Sequence, residues 1–219
     1  MKTIKVGWFI DDTHKAKFVF NEPFPVKKTR GIPLSKRAVQ ACPAINHFEK
    51  RYFQINIPYD LRLRYEFQNE KHNLYVIPED TRIDDDLISK NVVLMPPKFW
   101  RDENYPTIQI MCPYVFLSDD DIFMSQLPPF LDYKYNLWPG VVTAGRFPIN
   151  IWPRILSWGF EWVDKKKDLI FKRGDPWFYV FFESNNPNDQ IKMIMADNTD
   201  ELKEYRKGIA DTVKYTSNS

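Results

Sequence analysis

A histidine and a glutamate with one position between them are the first candidates for a metal-binding pair in this chain. His47 and Glu49 flank Phe48 and have the His-x-carboxylate spacing with which facial-triad sites bind non-haem iron. A second imidazole from elsewhere in the chain would complete such a triad. The pair therefore predicts an iron site, as one of two interpretations of the chain.

His72 is the residue that would supply the second imidazole, and Arg82 follows it by ten positions. This order resembles that of the 2-oxoglutarate oxygenases, and the resemblance implies iron held by His47, Glu49 and His72, with Arg82 binding the cosubstrate. In that fold, however, several strands separate the two histidines. Only 24 residues separate them here, and one alternating segment fills most of that interval. Ordinary packed or surface histidines are therefore favoured.

Other patterns that could carry chemistry are weaker. The triplets Asp84–Asp86 and Asp119–Asp121 offer carboxylates for Ca²⁺ or for acid–base catalysis, but they lack the glycine and the spaced ligands of an EF-hand loop. We expect them to be solvated turns or helix starts. The sequence has no Gly-x-Ser-x-Gly elbow, Gly-rich dinucleotide loop or P-loop, so no motif favours a serine hydrolase, a Rossmann enzyme or an NTPase.

An aromatic and cationic stretch favours binding rather than catalysis. Trp138 and Trp152 lie in a proline-rich segment that also contains Arg146 and Arg154. Indole rings beside guanidinium groups can stack on a sugar, a base or a partner's side chain, and loop tryptophans are common hot spots of interfaces. These four residues are the predicted ligand-binding surface. The alternative is that the loop packs its own aromatic side chains onto a sheet.

An alternating segment determines the predicted fold class. From Phe53 to Phe67 every odd position is apolar, and every even position is polar or proline. Only a β-strand sends successive side chains to opposite faces, so the segment has one buried and one solvated face. Pro58 interrupts it without an amide hydrogen. Because the phase continues across Pro58, we expect one bent strand rather than two collinear strands.

The second half of the chain divides into two parts. Residues 118–153 show no regular period, which predicts a long ordered loop rich in proline and tryptophan. Residues 155–196 contain four apolar or alternating runs. In the first run Trp158 and Trp162 share one strand face with Leu156 and Phe160, which predicts that both indoles lie in the core. Turns of four to six residues join these runs, which predicts an antiparallel meander of four strands.

The chain is predicted to end in a helix over residues 199–215, capped by Asn198 or Thr199. Its apolar residues recur at helical spacing and form one stripe: Leu202, Tyr205, Ile209 and Val213. No repeat or clear linker divides the sequence, so we expect a single domain, residues 1–219. The predicted fold is mainly β with a minor α+β character, an antiparallel β-sandwich or barrel with a C-terminal helix.

Composition and charge narrow the classes of partner. The formal net charge is +2 and 27% of the residues are charged, which is not the footprint of nucleic-acid or membrane binding. No run approaches the roughly 18 apolar residues of a transmembrane helix. Two cysteines do not make a disulfide framework, and the N-terminus lacks the apolar run of a signal peptide. We expect a cytoplasmic protein that binds neither nucleic acid nor membranes.

One part of the sequence resembles a known group of proteins. The segments PPFLDY, GRFPINIWPR, SWGFEW and KRGDPWFYVFFE are similar to segments of uncharacterised proteins of marine tailed phages. The resemblance covers residues 128–183. It implies a phage-infected bacterial cytoplasm or a virion as the setting, but no activity and no site residue.

Two functions follow from these patterns. The leading one is a non-enzymatic binding or assembly protein without a cofactor, phage-encoded if the resemblance holds. It would contact a protein partner, a ligand or a second copy of itself through the aromatic and arginine loop. The alternative is a small-molecule enzyme in a β-barrel fold, either with iron at His47, Glu49 and His72 or with carboxylates in the barrel mouth. The metal content of the purified protein separates the two.

Overall fold

A computed structural model of the chain describes residues 2–12, 19–26, 42–44 and 50–216. The strands are, in chain order, β1 Thr3–Ile10, β2 Phe24–Pro25, β3 Tyr52–Asn56, β4 Leu61–Gln68, β5 Lys71–Val76, β6 Val92–Leu94, β7 Thr107–Cys112, β8 Tyr114–Leu117, β9 Ile122–Leu127, β10 Gly140–Thr143, β11 Gly145–Pro148, β12 Leu156–Trp162, β13 Leu169–Phe171, β14 Pro176–Ser184 and β15 Gln190–Met195. The α-helices are α1 Asp85–Asn91 and α2 Asp200–Thr216. Short 3-10 turns cover Pro78–Asp80, Pro97–Phe99 and Tyr133–Leu137.

The described strands form four open sheets. Their strand orders are β15-β1-β8, β10-β12-β7-β6, β11-β9-β14-β3-β2 and β13-β4-β5. Strands β1 and β15 run parallel, and the other paired strands run antiparallel. The predicted mainly β class with a C-terminal helix is confirmed. Of the two architectures that the sequence left open, the arrangement is sandwich-like.

A shared hydrophobic core, rich in aromatic side chains, joins these sheets. Trp158 and Trp162 are fully buried, as their place in the alternating run predicted. The Trp158 ring stacks on Phe160 with centroids 5.3 Å apart, and it lies 6.1 Å from the ring of Trp177 on β14. Burying one large aromatic side chain removes roughly 150–250 Å² from water. At about 25 cal/mol per Å², each such ring contributes roughly 4–6 kcal/mol before entropy is counted.

The alternating segment has the predicted phase but is not one bent strand. Strand β3 pairs with β2 and β14, whereas β4 pairs with β5 and β13. Ile55 and Leu61 are both 1% exposed, because the two strands face the same core from different sheets. The expectation of continuity across Pro58 is therefore wrong. The break falls at the residue that has no amide hydrogen for a ladder.

The predicted meander is also wrong, although its four strands exist where the sequence placed them. Strand β12 lies between β10 and β7, β13 pairs with β4, and β14 lies between β9 and β3. Strand β15 pairs with β1, in parallel. A short turn requires only that two strand ends be close. Here each turn carries the chain to a different sheet instead of the neighbouring position in the same sheet.

The segment 118–153 is not the long irregular loop that its lack of period predicted. It contains β9, β10, β11 and a 3-10 turn. On β9 the inward side chains include Gln126, which is 2% exposed, and the outward side chains include Phe123 and Leu127. Because apolar side chains lie on the outer face and a polar one lies on the inner face, the sequence of β9 does not alternate between apolar and polar residues.

Helix α2 confirms the C-terminal prediction to within one residue at each end. The Thr199 hydroxyl accepts a hydrogen bond from the Leu202 amide at 3.3 Å, which is the contact of an N-cap. The helix is tied to β1 where the Arg206 guanidinium donates to the buried Asp11 carboxylate at 2.6 Å. Among the described residues, no helix is long and apolar enough to cross a membrane.

Candidate binding face

Of the predicted iron ligands, His47 and Glu49 lie outside the described residues. His72 is half-buried on β5. Its Nδ1 lies 2.7 Å from the Tyr65 hydroxyl, and its ring contacts Phe67 and Trp100 at centroid distances of 4.6 and 4.7 Å. In the described part of the chain, no group of three His, Cys, Asp or Glu side chains could hold a metal ion. The iron site stays a prediction.

The two aspartate triplets lie where turns or helix starts were expected. Asp84 is the N-cap of α1, and its carboxylate accepts from the Asp86 amide at 2.9 Å. The triplet Asp119–Asp121 occupies the connection between β8 and β9. Both are explained by local hydrogen bonding and solvation.

Trp138 belongs to the covering of the core. It follows the 3-10 turn Tyr133–Leu137 and is half-buried. Its indole packs edge-on against Trp158 at 5.7 Å and lies 5.4 Å from Phe171. Within the described residues no ring contact joins it to Trp152, so the structure does not unite the two tryptophans in one cluster.

Trp152 and Arg154 form a small stack in the loop after β11. The Arg154 guanidinium lies 4.7 Å from the Trp152 ring, and Phe147 meets that ring edge-on at 6.0 Å. Ile151 beside them is 60% exposed, and its carbonyl accepts from the Tyr205 hydroxyl of α2 at 2.9 Å. The helix therefore tethers this loop while its apolar tip stays in water.

Arg146 lies on the outward side of the five-stranded sheet. Its guanidinium covers the Phe123 ring at 3.6 Å and donates to the Glu183 carboxylate at 3.0 Å. Arg146 and Glu183 are both about half exposed. The pair thus joins β11, β9 and β14 on one surface, with the arginine charge balanced by the glutamate.

The strand register extends this surface across four strands. Arg146 is opposite Ser125, Ser125 is opposite Phe181, and Phe181 is opposite Tyr52. Opposed residues in paired strands lie on the same face of the sheet, so these four side chains form one row. Each of them is at least partly accessible to solvent. We call this row, together with Phe123 and Glu183, the aromatic face.

The rings at the β3 end of the aromatic face are ordered by one another. Tyr52 and Phe181 stack with centroids 4.5 Å apart and an interplanar angle of 27°. Phe130, itself 45% exposed, meets Tyr52 edge-on at 6.1 Å and Tyr179 at 5.3 Å. Since these rings are already held in place, a ligand that contacts them immobilises few additional side chains.

The electrostatics of the aromatic face suit a neutral contact. Burial raises the pKa of Tyr52, and it raises the pKa of Tyr179 to about 12. Both phenols stay protonated at neutral pH. Tyr179 is buried beneath Phe130, so of the two only Tyr52 belongs to the aromatic face. With Arg146 and Glu183 paired, stacking and hydrogen bonding dominate over net charge.

Sequence reasoning found Arg146 but missed Tyr52, Phe123 and Phe181. Tyr52 carries a usable signal, because it is an aromatic side chain at a position that continues the solvated, even-numbered side of the alternating segment. Phe181 lies within a nearly continuous apolar run, where periodicity cannot separate the two faces. Only the pairing of β14 with β3 and β9 reveals the row.

No protein-family model matches the chain, and no curated protein sequence is significantly similar to it.

Proposed function

We propose that this chain is a non-enzymatic binding protein that contacts a protein partner through the aromatic face. The row Arg146–Ser125–Phe181–Tyr52 is the observation that carries the proposal. A sheet that only needed a solvated outer side would carry small polar or charged side chains there. Instead, this face presents the residue types that interface cores prefer, namely Tyr, Phe and Arg.

Neighbouring exposed side chains support a partner rather than a small ligand. The Trp152–Arg154 stack follows the edge strand β11 of the same sheet. Beyond the opposite end of the row, Phe130 exposes 45% of its surface. Apolar and aromatic groups spread from the Trp152–Arg154 stack to Phe130 suit an extended protein surface better than a closed pocket.

The setting of this interaction comes from the sequence alone. The resemblance to proteins of marine tailed phages stays a prediction. It would place the binding event in an infected bacterial cell or in a virion.

The test compares substitutions on the aromatic face with a matched one elsewhere. Phe181→Ser removes the central ring, and Arg146→Glu reverses the exposed charge beside it. Phe67→Ser is the control, because Phe67 is an exposed aromatic residue, 57% accessible, on a strand of another sheet. Quantitative affinity purification from the host, with thermal unfolding as a folding check, should give a partner that is retained by Phe67→Ser and lost with both other variants.

Two results would contradict the proposal. One is a partner retained equally by the three variants. The other is a partner lost with Phe67→Ser alone, which would move the contact to the β4–β5 hairpin.

A further inference from the structure

The hydrogen bonds of β15 show which of its residues face away from its neighbour. The Gln190 amide donates to the Lys2 carbonyl, and the Ala196 amide donates to the Trp8 carbonyl, each at 2.9 Å. Along a strand, the amide and carbonyl of alternate residues point to the same side. Even-numbered residues of β15 therefore bond to β1, and odd-numbered residues present both groups to the other side.

Within the part of the chain that the structure describes, that other side of β15 is an open sheet edge. β15 is the outermost strand of its sheet, and within the described residues its pairing is with β1. The amides and carbonyls of Ile191, Met193 and Met195 consequently have no ladder partner in that part of the chain. A row of unpaired backbone groups is a template for another strand.

A groove runs along this edge. A cavity of about 410 Å³ is bounded on one side by four successive residues, Gln190 to Met193, and on the other by Glu22, Pro23, Pro25, Lys50 and Phe53. Successive side chains of a strand point to opposite faces. A cavity that touches four in succession must therefore follow the strand's edge, over roughly 13 Å at 3.3 Å per residue.

The chemistry of the groove selects its occupant. Phe53, Ile191 and Met193 give it an apolar base, because Phe53 is buried and the other two pack against the core. Lys50 and Lys192 are exposed at its rim, and neither forms an ion pair with a described residue. Among the described residues that line the groove, Glu22 is the only carboxylate. The excess of positive charge favours an acidic occupant.

We propose that the free edge of β15 binds an extended, acidic peptide segment of a partner protein by strand addition. Main-chain hydrogen bonds to Ile191 and Met193 would give affinity, and the apolar base and the lysines would give selectivity. Since Glu22, Pro23 and Pro25 close the far side, the groove admits a lone strand and not a sheet edge with its own neighbours. A second copy of β15 would also bring its own lysines against Lys50 and Lys192. None of the residues of the aromatic face lines this groove, so the two sites are separate.

Amide hydrogen exchange, followed by NMR on the full chain, tests the proposal residue by residue. In the free protein, the amides of Ile191 and Met193 should exchange faster than those of Lys192 and Ile194. An end-capped EVEVEV peptide should slow Ile191 and Met193 at least tenfold at saturation and leave the even positions unchanged. The KVKVKV peptide is the matched control and should protect neither.

Charge reversal supplies the second arm of the experiment. Lys192→Glu should weaken EVEVEV binding about 1.5-fold to fivefold, the range expected for exposed ion pairs. Lys71 is another exposed lysine, on the edge strand β5, and Lys71→Glu should leave EVEVEV binding unchanged. Slow exchange at Ile191 and Met193 in the free protein would overturn the proposal, because the edge would already be paired. Equal protection by both peptides, or protection that rises with protein concentration alone, would also overturn it.

Discussion

Proline substitutions at two neighbouring positions of β15 test the orientation of that strand directly. Ile194 is even-numbered and opposite Gly7, so its amide donates to the Val6 carbonyl by the register of the parallel ladder. Met195 is odd-numbered, and its side chain is 79% exposed. Proline removes an amide hydrogen and fixes φ near about −65°. Only the substitution at Ile194 should remove a ladder hydrogen bond.

The expected difference in the free energy of unfolding follows from the burial of Val6, whose carbonyl accepts the Ile194 hydrogen bond. Val6 is fully buried, so Ile194→Pro leaves its carbonyl without a donor, at a cost of about 1–3 kcal/mol. The lost packing of the half-buried isoleucine adds about 1 kcal/mol. The free energy of unfolding should therefore fall by about 2–4 kcal/mol. Met195→Pro removes an amide hydrogen that has no ladder partner among the described residues, at an edge where proline is tolerated. It should change the free energy of unfolding by less than about 1 kcal/mol.

Urea unfolding measures both values, with tryptophan fluorescence and far-UV circular dichroism as independent probes. Met195→Ala is the control that separates loss of the methionine side chain from loss of the amide hydrogen. Equal destabilisation by the two prolines would refute the assigned orientation of β15. The docking edge would then have no physical basis.

Two further predictions concern single residues outside the proposed sites. Asn69 and Glu70 form the β4–β5 turn, at φ of 51° and 60°. Because glycine adopts positive φ without strain, Glu70→Gly should raise the free energy of unfolding by about 0.5–1 kcal/mol. A Glu70→Gly variant no more stable than Glu70→Ala would contradict this prediction. Hydrogen bonds from Arg64 and then Arg62 hold the pKa of Asp168 below its usual value. This stabilisation is therefore fully present above the unfolded pKa of roughly 3.9 and is lost as pH falls through the lower folded pKa. Asp168→Asn should lose about 1–2 kcal/mol at neutral pH, and urea titrations should show the gap closing as pH falls below about 3.9. A gap independent of pH would be inconsistent with this reasoning.

The sequence predicted features that depend on local chemistry. The helix stripe and its threonine cap placed α2 within one residue. The alternating run around Trp158 and Trp162 placed both rings in the core. Period and capping are properties of a few adjacent residues, so a single sequence contains them.

Strand pairing depended on information that no local window contains. β15 pairs with β1 from the opposite end of the chain. An alternating pattern states which side of a strand is buried, but not which neighbour supplies the hydrogen bonds. The same limitation hid the aromatic face, because Tyr52, Ser125 and Phe181 come from separate strands and become adjacent only through the register. For the same reason the sequence grouped Trp138 with Arg146 on one predicted binding surface, although the Trp138 ring packs against Trp158 in the core.

The two proposed sites meet in β3, and that meeting yields a last prediction. Tyr52 points outward into the aromatic face, whereas its neighbour Phe53 lies at the base of the groove beside β15. The β3 backbone between them is held on both sides, by β14 and β2, and Phe53 packs edge-on against the buried Phe182 ring at 5.8 Å. Coupling between two sites needs an element with two alternative arrangements, and a strand fixed in this way has one. Phe181→Ser should therefore abolish partner capture while leaving the protection of Met193 by EVEVEV within about twofold of the unmodified protein. A larger change would mean that the aromatic face and the edge of β15 act as one coupled site.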